Sequence, residues 1–174
     1  MNEVSFIAGL HTKTKRDYIG RMTELDKAEC ASVAKKWGRD YWDGDRKYGY
    51  GGYKYDGRWS VVAEAIIKYY ELPQDAKILD VGCGKGFLLY EFKKLLPECQ
   101  IRGIDISDYA IENCTEEVRE FISLGNANSL NFNDGEFDLV ISITTLHNLL
   151  IFDLKPSVQE IRRVTRSKSY IAVE

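Results

Sequence analysis

Between Ile78 and Leu88 the chain reads ILDVGCGKGFL, and the residues best suited to chemistry lie there. An acid, Asp80, stands before Gly82, Gly84 and Gly86, with Cys83 and Lys85 between the glycines. Glycine lets the backbone turn tightly and lets a ligand approach it, because no Cβ is in the way. The loop falls where a short apolar run, AKILDV, meets a helix-like stretch, KGFLLYEFKKLLP. Two familiar uses of such a loop fail on spacing. A dinucleotide fingerprint needs G-x-G-x-x-G, and its third glycine position is Phe87 here. A phosphate-binding P-loop needs Lys and then Ser or Thr after its last glycine, whereas Gly86 is followed by Phe87 and Leu88. What remains is G-x-G-x-G behind an acid.

The elements that must hold this loop alternate in type. RWSVVAEAIIKYYEL reads as an amphipathic helix ended by Pro73. Strand-like runs follow at AKILDV, QIRGIDI, REFISLGNA, EFDLVISIT and SYIAVE. Between them lie KGFLLYEFKKLLP, stopped by Pro97, then DYAIENC capped by Ser107, then KPSVQEIRRVTR with Pro156 in its first turn. Strands alternating with helices predict an α/β fold, a doubly wound parallel sheet covered on both faces. Ligands in such sheets sit outside the carboxyl ends of the strands. Chemistry is therefore expected after ILDV, GID, SLG and VISIT.

Residues 1–57 differ in character and are expected to form a helical, aromatic-rich extension serving as a substrate lid; residues 58–174 form the Rossmann-like domain. In the extension, Thr23 is placed to cap a helix over ELDKAECASVAKKW, with Asp26 as the capping-box acid and Gly38 as the stop. The next stretch, RDYWDGDRKYGYGGYKYDGRW, is too rich in glycine for a long regular element.

The glycine loop resembles the first motif of class I S-adenosylmethionine-dependent methyltransferases, on the strength of LDVGCGKG, and further matches follow in order over about residues 58–174. The resemblance implies that Asp80, Gly82, Cys83, Gly84 and Gly86 pass beside the methionine part of S-adenosylmethionine. Asp105, in GIDIS, would bind the ribose hydroxyls; a carboxylate can accept two hydrogen bonds from a vicinal diol. Gly125-Asn126-Ala127 stands where the family has Gly-Asp-Ala against the adenine, and Asn126 keeps an acceptor oxygen. FNDGEFDLVIS, with Asp138, resembles the family's turn and fourth strand. Ile106 and Ser142, beside these strand ends, are further expected cofactor contacts, and Arg58 is placed to pair with the cofactor carboxylate. The family's sheet usually has seven strands and ends in an antiparallel hairpin. Five are read here, so the C-terminal strands are expected to be missing, through a shortened chain or replacement by a partner, with a homodimer as one outcome.

Methyl transfer needs nucleophile and methyl held in line, and a base where the nucleophile carries a proton. His147, in SITTLHNL, is the central histidine and the candidate base. Thr144 and Thr145 can hydrogen-bond a substrate. Tyr18, Tyr48, Tyr53, Tyr55 and Trp59 can wall a pocket and stabilise a sulfonium through their ring faces. The Asn-Pro-Pro-Tyr signature of adenine and amide methylases is absent after the fourth strand. A small molecule, methylated on oxygen or nitrogen, is therefore the expected acceptor. A protein or sugar-containing polymer is the alternative within the class, and a non-catalytic nucleotide-binding or assembly module the alternative outside it.

Composition narrows the remainder. With 24 Lys and Arg against 27 Asp and Glu the net charge is −3, which gives no general field for nucleic acid. No apolar run approaches the roughly 20 residues that span a bilayer. The N-terminal apolar stretch precedes its basic residues, the reverse of a secretory signal, so a cytoplasmic protein is expected. Cys30, Cys83, Cys99 and Cys114 include no C-x-x-C pair, so reduced thiols and no metal site are expected.

Overall fold

A computed structural model describes residues 4–10 and 26–173. Tyr18 and Thr23 lie outside the described residues. The first helix, α1 (Lys27–Ala34), begins at Asp26. That carboxylate accepts the amides of Ala28 and Glu29, so Asp26 is the cap itself. A single turn, α2 (Arg39–Trp42), follows, and residues 43–58 run without regular structure.

Helix α3 (Trp59–Tyr70) buries Val62, Ala63 and Ile66 on one face. It stops before Pro73 because Glu71 turns left-handed, with φ 50°, and its amide returns to Ile67 O. Then come β1 (Lys77–Val81), α4 (Phe87–Leu95), β2 (Gln100–Asp105), α5 (Asp108–Glu112), a 3-10 stretch (Glu116–Phe121), β3 (Ile122–Leu124) and β4 (Phe137–Ile143). After a second 3-10 turn (Leu146–Asn148), α6 (Ile151–Val164) leads straight into β5 (Thr165–Ala172). All pairings are parallel, in the order β3-β2-β1-β4-β5. Chain direction across the sheet reverses between β1 and β4, the switch point where doubly wound sheets open a crevice.

Two expectations about elements are corrected. Helix α6 starts four residues before Lys155, so Pro156 lies inside it rather than in its first turn. The proline removes one helical donor. The Ser157 hydroxyl, donating to Asp153 O at 2.8 Å, uses an acceptor in the same turn. Strand β5 likewise begins at Thr165, four residues before SYIAVE. Its pairing with β4 shifts register between Phe137 and Leu139, which accommodates the abrupt change from helix to strand.

The sheet interior is apolar on both faces, as a covered parallel sheet requires. Ile78, Ile101, Leu139 and Ile141 pack toward α3 and α4. Leu79, Val81 and Val140 face Ile161 and Val164 of α6. The N-terminal residues join the first of these layers. Ile7 is buried there, and Phe6 stacks edge-on against Tyr170 of β5 while its amide donates to the Tyr170 hydroxyl at 3.2 Å.

Candidate active site

The glycine loop connects β1 to α4 and is pinned to the end of β2. The amides of Gly82 and Cys83 donate to Ile104 O at 2.7 and 3.1 Å. Gly82 has φ 85°, and a Cβ there would lie 2.0 Å from the Thr145 hydroxyl oxygen. The Gly84 amide donates to Asp105 Oδ2 at 2.7 Å, and the Ser107 amide to Oδ1 at 2.9 Å. Asp105 thus joins the loop after β1 to the start of α5. Burial pushes its carboxyl above the usual range, against the pull of these amides and that of Ile106.

Asp80 is buried beneath the loop. Burial first, and the neighbouring Asp105 second, raise its carboxyl to about 7. Two carboxylates in one apolar enclosure disfavour a second negative charge. Burial, and then the charge of Asp80, push the Cys83 thiol up, so it is not a thiolate nucleophile.

A cleft of about 120 Å³ opens at the carboxyl ends of β1, β2 and β4. Gly82, Asp105, Ile106, Asn126, Ala127 and Thr144 line one side of it. Trp37, Tyr41, Trp42 and Tyr50 line the other. Trp42 is fixed in place: its Nε1 donates to Ser107 Oγ at 2.9 Å and to Trp37 O at 3.1 Å. Its ring lies so close to Gly84 that a Cβ on that glycine would be 2.8 Å away. Tyr50 stacks on Trp42, with centroids 5.3 Å apart, and Tyr53 lies between Tyr50 and Phe87. A smaller cavity of about 50 Å³ under these rings is lined by Asp80, Gly84, Tyr50 and Tyr53.

A second cavity of about 450 Å³ adjoins the cleft, and Tyr41, Tyr50, Ile143, Thr144 and Asn148 belong to both. His147, in the turn after β4, lines this second cavity and is exposed. Thr144, at the junction, has φ 53°. A β-branched residue in the left-handed region stores of the order of 1–3 kcal/mol, which the surrounding fold must offset.

Several expected residues lie elsewhere. Ser142 is fully buried and donates its hydroxyl to Val81 O at 3.1 Å, away from the cleft, because it faces the neighbouring strand. Gly86 caps α4, and its missing side chain leaves room for Ile122 and Val118, so it serves packing. Arg58 lines the second cavity, where Nε makes 2.9 and 2.7 Å contacts with the Asp56 carboxylate, the local acid two residues away. Tyr55 is drawn to the buried Glu91 on the outer side of α4, and Tyr48 lies under Lys47; neither lines the cleft or the second cavity. Asp138 holds Lys77 N and Arg166 at the opposite end of the sheet.

Other residues at the site did not stand out in the sequence. Lys85 is buried and donates to Asp43 Oδ2 at 2.6 Å and Tyr53 O at 3.0 Å. Asp43 also accepts Tyr109 OH at 2.9 Å and Tyr53 N at 3.0 Å. Burial works to raise the Asp43 carboxyl, but the bonds from Lys85, Tyr109 and the Tyr53 amide outweigh it and hold it below its usual value. This network fastens the aromatic segment to the glycine loop. Its one sequence signal is a lysine between two glycines in an otherwise apolar run.

Known proteins share this frame. The profile of a family described as a methyltransferase domain matches residues 72–174, and the chain belongs to that family, of the class I S-adenosylmethionine-dependent type. An uncharacterized methyltransferase of Schizosaccharomyces pombe is 29% identical over 120 residues, covering 61% of this chain and 41% of its own. The malonyl-[acyl-carrier protein] O-methyltransferase of Geobacter sulfurreducens is 31% identical over 109 residues, covering 59% and 40%. The chain thus spans about two fifths of the length of these curated relatives. The crystal structure of the YcgJ protein of Bacillus subtilis superposes with a TM-score of 0.52 at 26% identity, over 60% of this chain and 45% of that one.

The lining of the cleft matches the chemistry of the ribose and ring of this family's cofactor. Asp105 sits at the end of β2 on the cleft lining, Gly82 offers bare backbone, and Ile106 and Ala127 offer apolar walls for a ring. No described helix is long and apolar enough to cross a membrane.

Proposed function

We propose that the chain transfers the methyl group of S-adenosylmethionine to oxygen or nitrogen of a small molecule. The observation that carries this reading is the pairing of two cavities through Thr144 and Tyr50, one lined by Asp105, Gly82 and Trp42, the other by Tyr53, Trp59 and His147. The cofactor supplies a methyl carbon on a positive sulfur. When bound, it would give that methyl to the acceptor's lone pair, the carbon–sulfur electron pair staying on the departing sulfur.

The chain's own residues bind, orient and exclude water. Asp105 holds a diol, and Asn126 and Ala127 hold a ring edge. The faces of Trp42, Tyr50 and Tyr53 surround the place where positive charge must sit. His147 takes the acceptor's proton from the second cavity. Of the segment 1–57, the described residues Trp37 to Tyr53 act as the lid, and an acceptor enclosed by that lid is a small molecule. Calorimetric titration of the chain with S-adenosylmethionine, S-adenosylhomocysteine and NAD tests the reading. Micromolar binding of the first two without NAD supports it; NAD binding, or no binding of either sulfur compound, overturns it.

A further inference from the structure

The aromatic segment lies on the cofactor half of the site, not beside it. The Trp42 ring packs on the glycine loop so closely that a Cβ on Gly84 would meet it at 2.8 Å. From there the rings continue through Tyr50 and Tyr53 to Phe87, each pair 4.4 to 5.3 Å apart between centroids. Trp42, Tyr50 and Tyr53 wall the small cavity over Asp80, Gly82 and Gly84. A ligand laid along the loop as far as Gly84 therefore meets the Trp42 ring.

The segment is closed on itself. The amides of Gly52 and Tyr53 donate to Trp42 O at 3.1 and 3.0 Å, and that of Tyr50 to Tyr41 O at 2.8 Å. Helix α1, before it, buries no residue. After it, Gly57 has φ 79° and open space where a side chain would stand, so the chain can turn there without breaking a packed contact. The bonds to the domain gather on the two loops that face the cleft. Lys85, in the glycine loop, donates to Asp43 Oδ2 at 2.6 Å and Tyr53 O at 3.0 Å. Beyond Asp105, Ser107 Oγ accepts Trp42 Nε1 at 2.9 Å, and Tyr109 OH donates to Asp43 Oδ2 at 2.9 Å. Asp43 is thus gripped by both loops at once.

We propose that residues 37–53 are a gate for the cofactor itself, with Asp43 as the latch. S-adenosylmethionine enters and S-adenosylhomocysteine leaves when the segment swings off Gly84, and closure onto Lys85 and Tyr109 retains them. This rests on the methyl-transfer reading above and adds an order to it: the cofactor is seated before the gate closes, and gate opening limits its exchange.

The three tryptophans, Trp37, Trp42 and Trp59, belong to the segment or border it, so intrinsic fluorescence reports its position. The test is stopped-flow mixing of the full chain with S-adenosylhomocysteine. The rate of the fluorescence change is expected to level off as ligand is raised, at the rate of gate opening. Asp43→Asn should raise that plateau roughly tenfold or more, because a bond to a charged partner no longer has to break. Tyr109→Phe keeps the ring and the Lys85–Asp43 pair, and should raise the plateau by a smaller factor. Without ligand, acrylamide should quench both variants more strongly than the parent. A rate that climbs linearly to millimolar ligand, rates or quenching unmoved in both variants, or calorimetric binding with no fluorescence change overturns the gate alone. Absence of S-adenosylhomocysteine binding by calorimetry overturns the methyl-transfer reading and the gate with it.

Discussion

The Gly84 amide donates to the Asp105 carboxylate at 2.7 Å, so the acid at the end of β2 and the loop at the end of β1 form one unit. Asp105 has two tasks, supporting the loop and facing the cleft. Asp105→Ala leaves the Gly84 and Ser107 amides without their acceptor, which costs of the order of 1–3 kcal/mol. The variant is expected to lower the melting temperature and to lose most affinity for S-adenosylmethionine. Asp105→Asn keeps one acceptor oxygen and should recover part of the stability but little of the affinity. Calorimetry beside thermal unfolding separates the two; affinity unchanged in either variant would remove Asp105 from the cofactor site.

Asp80 gives a pH dependence whose sign is fixed. Its carboxyl titrates near 3.8 in the unfolded chain and at about 7 in the folded one. Between those values the unfolded chain has released its proton while the folded chain keeps it, so this group's contribution to stability declines as pH rises from about 4 to about 7. Asp80→Asn removes the titration. The stability difference, wild type minus variant, is therefore expected to fall across that window. A cation beside Asp80 favours its ionised form, so S-adenosylmethionine affinity should rise through about pH 7, and S-adenosylhomocysteine, without the sulfonium charge, should show less. Chemical denaturation and calorimetry at several pH values measure both. A flat difference between wild type and Asp80→Asn would contradict the buried, protonated state.

The Lys85–Asp43 pair predicts a link between the aromatic segment and the glycine loop. Both partners are largely sheltered, with side-chain exposures of 7% and 24%. Removing one partner strands the other in an apolar setting, so Asp43→Ala is expected to cost about 1–3 kcal/mol, a melting shift of several degrees. Lys85→Met should cost less, because an apolar chain of similar length refills the space. The double variant Asp43→Ala/Lys85→Met should be more stable than the sum of the two losses implies. Strict additivity in thermal unfolding would mean that the pair carries no coupling.

Most of the sheet was legible in the sequence because β1 to β4 each hold a short apolar run; the first half of β5, Thr165–Lys168, is polar and was not. The loop at Gly82 was legible from its glycine spacing where a strand meets a helix, whereas the acid at Asp105 was legible through the family resemblance. The aromatic wall was legible only as a composition. Tyr55 and Trp42 sit in similar sequence surroundings, yet Tyr55 turns to Glu91 on the outside while Trp42 reaches Ser107 over the glycine loop. That choice depends on partners 36 and 65 residues away, which no local pattern carries. Ser142 shows the same limit: a polar residue late in a strand reads as a cleft residue, but the pleat turns it toward Val81. Pro156 misled in another way, since a proline is commonest in a first turn yet is tolerated deeper in α6.

His147 is the remaining test of mechanism. It stands in the turn after β4, exposed, on the lining of the second cavity and one turn from Thr144. It makes no contact with the glycine loop or with Asp105 among the hydrogen bonds of the site, so cofactor affinity should not depend on it. Loss of a positioned general base typically costs about 10²–10⁴-fold in rate. His147→Ala is therefore expected to lower turnover within that range while S-adenosylmethionine affinity stays put. Should the acceptor be acidic enough to ionise without help, the loss would shrink as pH rises. A variant that turns over as fast as the parent at every pH would exclude His147 as the base and leave positioning alone as the source of the rate.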